Sequence, residues 1–576
     1  MGPAPPDGAP ATTTRGAVRP RAIAWFGFTS FWGHLRHLVA SAIATENVDS
    51  RKWMIPDEPA DLISAIVRVL EPGRTAPDGA TLLDALGREL LIDFVADTGD
   101  DVSVSAAVAR IIAREYALPD GETLPRGDVL LLGGDTAYPV ATVREISRRL
   151  VDPWNAVFKE VDDHKPRVLL AIPGNHDWYD GLDGFARLAQ APCDFESAPL
   201  AEDAHHPRLS AFPLLDWAEA FTRGEARRKP GAVALYGYVP VQRASYFRLP
   251  IGPGLEVFAV DRQLRQIDAR QVAFFGVPRT RAHWVFLPDP ARAWGEVRPT
   301  GEEALRSLSI APGDAPSLIV SGDVHHYERS GEGASLHVVA GGGGAFLHGA
   351  RVAGRGAYGR DAEFPGPRSS ARYLPGLPWF VATGRAGLVF TAVVALANFG
   401  ALKTFFQSSA DAAILVSLSI VGAFAVGTAL LVGWRQHRMA RVVPFAIATG
   451  LVQGALPIAL GLAADRVAAS ALGASLGGRF GSFVLAWGVA TFASGLAFGG
   501  MLALIARLGL NHAQPFAALG IPSYKHFVRF RVRAKGDATV VEGFVIGVVD
   551  PLGEGESSRP VLVDRFVFTS DRGRER

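Results

Sequence analysis

Residues 167–177 read Arg-Val-Leu-Leu-Ala-Ile-Pro-Gly-Asn-His-Asp, an apolar run that ends in a cluster of polar side chains. The run Arg167–Ile172 predicts a buried β-strand because it is short, apolar and rich in branched residues. The amide oxygen of Asn175 can ligate a hard cation, and the imidazole of His176 can ligate a metal or move a proton. The stretch is typical either of a catalytic strand end or of a strand followed by an Asx turn.

Three further apolar runs predict strands that end in glycine followed by carboxylate or imidazole residues. They are Leu90–Ala96 before Asp97, Val129–Leu132 before Gly133, and Ser317–Val320 before Ser321. Several strand ends of this kind at one edge of a sheet are the arrangement in which loops converge on metal ions. A single Gly-Asp after a strand is commonly a turn, so the series of four favours a metal site.

The composition excludes some classes of protein. With 576 residues the chain is expected to hold several domains, and its formal net charge of +1 gives no reason to expect a nucleic-acid partner. The one cysteine, Cys193, excludes an intramolecular disulfide framework and fits a reducing compartment. Hydrophobic residues make up 48% of the chain. Their excess lies in the last third, which favours a membrane region there.

The ordered strand ends resemble the motifs of the calcineurin-like metallophosphoesterases. Gly134-Asp135, Gly174-Asn175-His176-Asp177 and Gly322-Asp323-Val324-His325 follow the order of that family's Gly-Asp, Gly-Asn-His-Asp/Glu and Gly-His-x-His motifs. The resemblance covers about residues 85–350. It implies an α/β fold, a four-layer α/β/β/α sandwich, with divalent metal ions at the sheet edges.

The resemblance also implies roles for single residues. The implied metal ligands are Asp135 for both ions, Asp97 and His325 for the first ion, and Asn175 for the second. His176 would lie beside the scissile phosphate without ligating metal, as a proton donor or a stabiliser of charge, with Asp177 orienting it. The implied reaction is hydrolysis of a phosphomonoester, phosphodiester or pyrophosphate by metal-activated water.

Three positions depart from the family pattern. Gly99 stands where the first motif has histidine, and Asp100 is the candidate substitute. Pro288-Asp289-Pro290 stands where a His-x-Pro is expected, with Asp289 as the candidate ligand. Asp323 replaces the first histidine of the last motif, and its carboxylate can still bind a metal. Carboxylate in place of imidazole favours manganese, iron or magnesium over zinc, with one or two ions per site.

This ligand set leaves a second interpretation open. It is a catalytically impaired, phosphoesterase-like membrane receptor or scaffold that binds a phosphorylated ligand. The complete His176–Asp177 pair favours an active enzyme, because a pure binding module has no evident need for it. A third interpretation, a transporter with a regulatory domain, is weakened by the absence of charge inside the membrane runs described next.

Four long uncharged runs predict a four-helix transmembrane region over residues 381–510. They are Ala386–Leu402, Ala412–Trp434, Val442–Ala464 and Phe480–Ala506. Each is long enough to cross a hydrocarbon core of about 30 Å. Arg435, Arg438 and Arg441 crowd the second loop, so the positive-inside rule predicts that both termini and the catalytic domain are cytoplasmic. The predicted location is the plasma or inner membrane.

The remaining segments complete the predicted domain division: a disordered tail over 1–20, an N-terminal helical segment over 21–84, the phosphoesterase domain over 85–350, a linker over 351–380, and a small β-rich cytoplasmic subdomain over 511–576. Within 21–84, the aromatic run from Trp25 to Trp32 predicts an amphipathic helix that lies on a membrane surface or packs on the next domain. The expected partners are a phosphorylated small molecule or lipid as substrate, and membrane lipids. The sequence leaves the oligomeric state open.

Overall fold

The computed structural model describes residues 55–574 except 162, 192–232, 263–266, 277–281, 355, 408–409, 434–438 and 474, together with residues 23–24, 27–28, 30, 32–33 and 35. Several predictions fall outside these residues. They concern the 1–20 tail, Cys193, the loop arginines Arg435 and Arg438, and part of the aromatic run.

The four predicted strands are confirmed as β1, β4, β5 and β12, with boundaries within one residue. The described strands are, in chain order, β1 (Leu90–Val95), β2 (Tyr116–Ala117), β3 (Thr123–Leu124), β4 (Val129–Leu132), β5 (Arg167–Ala171), β6 (Tyr238–Pro240), β7 (Phe247–Gly252), β8 (Leu255–Ala259), β9 (Ala282–Leu287), β10 (Arg292–Ala293), β11 (Glu296–Val297), β12 (Ser317–Ser321), β13 (Tyr327–Glu332), β14 (Ser335–Ala340), β15 (Ala362–Phe364), β16 (Lys525–Lys535), β17 (Ala538–Val548), β18 (Val561–Thr569) and β19 (Gly573–Arg574).

Helices lie between the strands and fill the segment from 367 to 519. The described α-helices are α1 (Pro59–Leu70), α2 (Leu82–Leu86), α3 (Val102–Ile112), α4 (Val143–Ile146), α5 (Asp152–Val161), α6 (Asn175–Trp178), α7 (Asp183–Ala189), α8 (Ala269–Phe275), α9 (Pro299–Ser307), α10 (Pro367–Ala371), α11 (Leu377–Ala382), α12 (Leu388–Gln407), α13 (Ala410–Gly433), α14 (Met439–Leu472), α15 (Leu476–Arg507) and α16 (Gln514–Leu519).

Two large sheets contain most of the described strands. The first has the order β19-β18-β17-β16-β1-β4-β5-β6, and the second has the order β15-β13-β14-β12-β9-β8-β7. Strands β1, β4, β5 and β6 run parallel, as do β8, β9, β12 and β14. The carboxyl ends of the parallel strands therefore share one edge in each sheet, where ligand sites of α/β proteins commonly form.

A hydrophobic core joins the two sheets. Phe94 of β1 and Phe530 of β16 belong to the same buried cluster as Trp284 and Phe286 of β9. The rings of Phe94 and Phe286 stack with their centroids 5.5 Å apart. Side chains alternate along a strand, so the residues next to these face the other side of their sheet. The continuous burial of β1 and β9 follows from having apolar contacts on both sides.

The C-terminal strands belong to the first sheet. Strand β16 pairs antiparallel with β1, and its Arg529 forms a buried ion pair with Asp93, the Nη2–Oδ2 distance being 2.9 Å. Strands β16 to β19 of the predicted C-terminal subdomain over 511–576 therefore continue the first sheet, and β16 covers the edge that β1 would otherwise expose. Strand β15, inside the predicted linker, likewise pairs with β13 of the second sheet.

Three described helices contain stretches long and apolar enough to cross a membrane: Leu388–Phe405, Val442–Leu472 and Leu476–Arg507. Helix α13 is also long, at 24 residues, with Leu415–Thr428 as its apolar part. Helix α14 continues beyond the predicted run, through Asp465 and Arg466, to Leu472. The expectation of a membrane protein is confirmed at this level. The predicted run Val442–Ala464 is itself uncharged, and Asp465 and Arg466 lie in the part of α14 that extends beyond it.

Small residues let these helices approach closely. A Cβ added to Gly450 of α14 would lie 2.6 Å from the carbonyl oxygen of Val421 in α13, and one added to Gly454 would also meet Val421. Gly495 and Gly499 of α15 meet helix α11 in the same way. Spacings of four residues between such glycines are typical of close helix contacts within membranes.

An apolar cluster connects the helix ends to the sheets. Ala386 just before α12, Val442 near the start of α14 and Ile505 near the end of α15 share this cluster with Leu347 and Ile521. The start of α12, the start of α14 and the end of α15 therefore all lie beside the part of the chain that forms the sheets.

Candidate functional site

The predicted motifs after β1, β4 and β12 meet at one place. The amide of Asp97 donates to the carbonyl of Gly134 at 3.0 Å, and the amide of Thr98 donates to the carbonyl of Asp135 at 3.1 Å. From the second sheet, the amide of Asp323 donates to Oδ2 of Asp97 at 2.9 Å. The carboxyl ends of strands from both sheets thus come together around Asp97.

Three of these residues share an uncommon backbone conformation. Asp97, Asp135 and Asp323 have φ angles of 60°, 50° and 63°. L-residues seldom adopt the left-handed region, although aspartate tolerates it better than most. Such conformations concentrate at functional sites, where the surrounding structure holds them in place. The same turn ends all three strands at the junction of the two sheets.

Two glycines allow the backbone to approach these carboxylates. A Cβ at Gly174 would lie 2.1 Å from Oδ1 of Asp135, and a Cβ at Gly341 would lie 2.6 Å from Oδ2 of Asp97. Real Cβ atoms do not come so close to another heavy atom, so any larger residue would displace a carboxylate. The glycines of the Gly-Asn-His-Asp motif and of the run from Gly341 to Gly344 therefore have a packing role at the site.

The hydroxyl of Tyr138 lies at the centre of the cluster. It is 2.8 Å from Oδ1 of Asp97, 3.4 Å from Oδ2 of Asp135 and 3.2 Å from Nε2 of His325. Only 2% of Tyr138 is exposed. The sequence motifs did not identify Tyr138 as a site residue. Its position three residues after Asp135, in the same loop after β4, is the feature that could have done so.

His325 is held in one tautomer. Its Nδ1 donates to the carbonyl of Phe346 at 2.8 Å, since a carbonyl oxygen can only accept. Burial lowers the pKa of His325 to about 3, so the ring is neutral and Nε2 carries a lone pair. That lone pair faces Oδ1 of Asp97 at 3.3 Å. Two acceptors that face each other in a buried site need a proton or a cation between them.

Burial also acts on the carboxylates. Loss of hydration is the main cause that raises the pKa of Asp97 and of Asp135 well above the usual range, and repulsion among nearby carboxylates, including Asp323, adds to it. A positive charge placed among them would reverse the effect and stabilise their ionised forms.

Asp177 does not have the predicted role of orienting His176. Its Oδ2 accepts hydrogen bonds from the amides of Gly174 and Asp135 at 2.8 and 2.9 Å, and its Oδ1 accepts from the amide of Thr136 at 3.2 Å. Burial raises the pKa of Asp177 to about 6, against the opposing effect of these bonds. The carboxylate joins the loops after β4 and β5. The prediction failed because adjacency in sequence does not show where a side chain turns.

His176 is oriented by a carbonyl group instead. Its Nδ1 donates to the carbonyl of Pro139 at 2.7 Å. The ring lies between Tyr138 and Tyr179, with centroids 4.4 and 4.8 Å away. Fixing the proton on Nδ1 leaves Nε2 as the nitrogen that can exchange a proton with a ligand. The neighbouring Asn175 donates from Nδ2 to the Tyr179 hydroxyl, and its Oδ1 is the atom that the implied metal role requires.

No family model matches the chain, and no curated protein matches it significantly. Within the described residues, no three His, Cys, Asp or Glu side chains form a group that could hold a metal ion. The candidate site in the described residues therefore consists of the carboxylates of Asp97 and Asp135 and the imidazole of His325 around the hydroxyl of Tyr138.

The two substitute ligands have other partners. Asp100 accepts a hydrogen bond from the amide of Ile23 at 2.8 Å and lies 3.9 Å from Nη1 of Arg149. Asp289 forms an ion pair with Arg262. Among the hydrogen bonds of the described residues, none joins Asp100 or Asp289 to the cluster around Tyr138, so their predicted roles as ligands lack support.

Lys525 lies behind the site and was also missed. It is fully buried on β16, and its Nζ donates to the carbonyl of Ala345. The amide of Ala345 in turn donates to the carbonyl of Asp97 at 2.8 Å. Burial lowers the pKa of Lys525 to about 7, while the charges of Asp97 and Asp100 oppose that shift. The C-terminal strand therefore supports the loop that packs on Asp97.

Residues of the N-terminal segment cover one side of the site. Ile23 and Ser30 line a small space together with Tyr138, Pro139 and two other site residues. Ser30 is 1% exposed. The sequence left two placements open for this segment, on a membrane surface or against the following domain. The described residues Ile23 and Ser30 pack against the following domain.

Proposed function

We propose that the chain is a membrane-anchored, metal-dependent phosphoesterase of the calcineurin-like kind. Its reaction is hydrolysis of a phosphomonoester, phosphodiester or pyrophosphate by metal-activated water, at a site on the cytoplasmic side. The observation that carries the proposal is the convergence of Asp97, Asp135 and Nε2 of His325 on one point. Because acceptors face each other there, a divalent cation would turn an unfavourable arrangement into a favourable one.

The donor types suit such an ion. Because no three of the described His, Cys, Asp or Glu side chains form a ready metal group, these side chains would have to move closer together around it. Carboxylate and phenol oxygens with one imidazole nitrogen suit manganese, iron or magnesium better than zinc. Asp97, Asp135, His325 and Tyr138 would hold one ion, and Asn175 and Asp323 would be the residues for a second one. When bound, the metal supplies a water of lowered pKa and neutralises phosphoryl oxygens.

The chain's own residues do the remaining work. His176 would pass a proton to the leaving oxygen, or stabilise phosphoryl charge, through the nitrogen opposite its bond to Pro139. Asp177 would act as a positioning residue, since its carboxylate holds the amides of Asp135 and Gly174. Burial of the site excludes bulk water and strengthens the electrostatic interactions within it.

Two observations support a four-layer α/β/β/α sandwich. The sheets share the core that contains Phe94 and Phe286. A second buried cluster contains Leu132 of β4 with Trp154 of α5, and also Val285 of β9 with Phe275 of α8. Helices on the outer side of each sheet would give the order of layers that the motifs imply.

The sheet topology supports four membrane crossings. Strands before the first long helix and strands after the last one lie side by side in the first sheet, so the chain must cross the membrane an even number of times between them. Ala386 and Val442 both lie at the sheet end of the helical region. Helix α13 must therefore return the chain from the far end, and its 24 residues span about 36 Å at about 1.5 Å per residue.

One observation favours the rival function, a non-catalytic receptor or scaffold for a phosphorylated ligand. Tyr138 is 2% exposed and His176 is 9% exposed, so a substrate reaches them only after the covering residues move. Activity therefore has to be measured directly.

The deciding experiment uses the full chain in detergent with Mn²⁺. We would measure metal content by elemental analysis and hydrolysis of p-nitrophenyl phosphate and bis-p-nitrophenyl phosphate. Asp135→Asn should lose both metal and activity. His176→Ala should retain metal and lose activity on the order of a hundredfold or more. Asp183→Asn, on the exposed side of α7, serves as the control and should behave as the wild type.

The proposal would be overturned by purified wild type that neither binds Mn²⁺ nor hydrolyses either ester. Metal binding with no hydrolysis, together with binding of phosphate or a phosphonate, would select the receptor instead.

A further inference from the structure

A separate cavity lies at the opposite edge of the first sheet from the candidate site. It is bordered by the residues that precede β4, β5 and β6, whereas Asp97 and Asp135 follow the other ends of β1 and β4. Its volume is about 330 Å³, which is within the range of small-molecule sites. It is also larger than the space enclosed beside Tyr138.

Positive side chains exceed negative ones among the described residues that line this cavity. The positive side chains are those of Arg126, Lys165 and Arg167, and the negative one is that of Asp163. The carboxylate of Asp163 accepts a hydrogen bond from Nη1 of Arg167 at 2.8 Å. Bonding to Arg167 is the main cause that lowers the pKa of Asp163. Nη1 of Arg126 also lies 3.8 Å from Oδ2 of Asp163, so one carboxylate faces three cationic side chains. Positive charge remains in excess, and the cavity therefore favours an anion.

Arg126 is buried and already positioned. It is 8% exposed, and its Nη2 donates to the hydroxyl of Tyr238 at 3.1 Å. Its guanidinium carbon lies 4.8 Å from the ring centroid of Phe158 and 5.4 Å from that of Tyr238. Within the described part of the chain its Nε is buried without a hydrogen bond. A cation that has lost hydration in this way gains from an anion placed next to it.

The outer wall of the cavity is apolar and held in place. Tyr236 is 38% exposed and Val239 is 39% exposed. Asn155 of α5 accepts from the amide of Tyr236 at 2.7 Å and donates to the carbonyl of Ala234 at 2.8 Å. The backbone that carries Tyr236 is therefore held at the mouth of the cavity, where a flat apolar group can lie against the tyrosine ring.

We infer that this cavity is a binding site for a small organic anion, a carboxylate or phosphate-like group on a flat ring. The anionic group lies near Arg126 and Lys165, and the ring lies against Tyr236. Pre-positioned groups bind with less loss of conformational freedom than mobile ones. The inference stands apart from the proposed hydrolysis, because it uses none of the residues of the candidate site.

The test is isothermal titration calorimetry on the full chain in detergent at low salt. The probes are benzoate, phenylphosphonate and benzamide, which share a ring and differ in the charged group. Benzoate and phenylphosphonate should both bind, and benzamide should bind on the order of tenfold more weakly. The anion with the higher affinity identifies the preferred anionic group. Lys165→Met should weaken anion binding about threefold and Arg126→Met about tenfold or more.

Arg187→Met provides the matched control, because Arg187 is an exposed arginine on α7 that pairs with Asp183. Its anion affinity should equal that of the wild type. If Arg126→Met fails to fold, Lys165→Met and the comparison with benzamide still decide the matter. The inference would be overturned if neither anion bound saturably, or if benzamide bound as well as benzoate. It would also be overturned if Lys165→Met bound both anions like the wild type, since binding would then lie elsewhere.

Discussion

The Tyr138 hydroxyl can donate one hydrogen bond, yet it is surrounded by acceptor atoms of Asp97, Asp135 and His325. Without a metal, that one proton is the link between groups that otherwise repel each other. With a metal, the cation takes over this role and the hydroxyl becomes one more oxygen ligand. The contribution of Tyr138 to stability should therefore depend on whether metal is present.

Replacing Tyr138 by phenylalanine tests this dependence. Tyr138→Phe should lower the free energy of unfolding by about 1–3 kcal/mol in EDTA, because buried acceptors lose their donor. The loss should be smaller with saturating Mn²⁺. Thermal unfolding of the full chain under both conditions provides the measurement. Tyr116→Phe is the control, because the Tyr116 hydroxyl donates to the carbonyl of Ile111, away from the site. An equal loss in EDTA and in Mn²⁺ would show that the cluster does not take up the ion.

The sequence predicted the place of the site better than its chemistry. Asp97, Asp135 and His325 come together as expected, because strand ends of parallel sheets meet at a shared edge. The direction of a side chain depends on turn geometry and on distant partners, which a motif does not contain. For that reason Asp177 was assigned to His176, although it binds backbone amides, and Tyr138 was overlooked.

At the scale of elements, strand β16 is the part of the fold that the sequence could least reveal. Its apolar pattern predicted a strand, but the pattern does not show which strand it pairs with. Pairing with β1 depends on an exposed sheet edge and on the buried ion pair between Arg529 and Asp93, more than 400 positions apart along the chain. That pairing also brings Lys525 behind the loop that packs on Asp97.

Burial of Lys525 predicts a pH-dependent stability. The pKa falls from 10.5 in the unfolded chain to about 7 in the folded one, so between these values the unfolded state binds more protons. Stability contributed by this position therefore rises with pH in that window and is constant below it. Relative to Lys525→Met, the wild type should gain about 2 kcal/mol between pH 7 and pH 9.

Chemical denaturation of both proteins at the two pH values provides the measurement. Lys535→Met is the control, because Lys535 is exposed at the far end of the same strand, and it should show no such difference. If the free energy of unfolding changed equally with pH in the wild type and in Lys525→Met, burial would not neutralise the lysine.

At the scale of the whole molecule, the shared sheet constrains the membrane topology. Among the described residues, hydropathy alone finds three helices that are long and apolar enough to cross a membrane, and α13 contributes only the shorter apolar stretch Leu415–Thr428. Three crossings would put β15 and β16 on opposite sides of the membrane, although they lie in the same folded unit through β13, β14 and β1. An even number of crossings removes the conflict, and it agrees with the sidedness that the positive-inside rule predicts from the basic sequence between α13 and α14.

Cysteine labelling in whole cells tests this arrangement. In a Cys193→Ser background, Ser409→Cys follows α12 in sequence and Ala474→Cys follows α14. Four crossings predict that a membrane-impermeant maleimide labels both in intact cells. Gln436→Cys and Ser557→Cys occupy the catalytic side and should be labelled only after permeabilisation. Labelling of Gln436→Cys from outside, with Ser557→Cys protected, would contradict four crossings. That result would leave two crossings, one before and one after residue 436, which keeps β1 and β16 on one side of the membrane but does not return the chain to that side between α13 and α14.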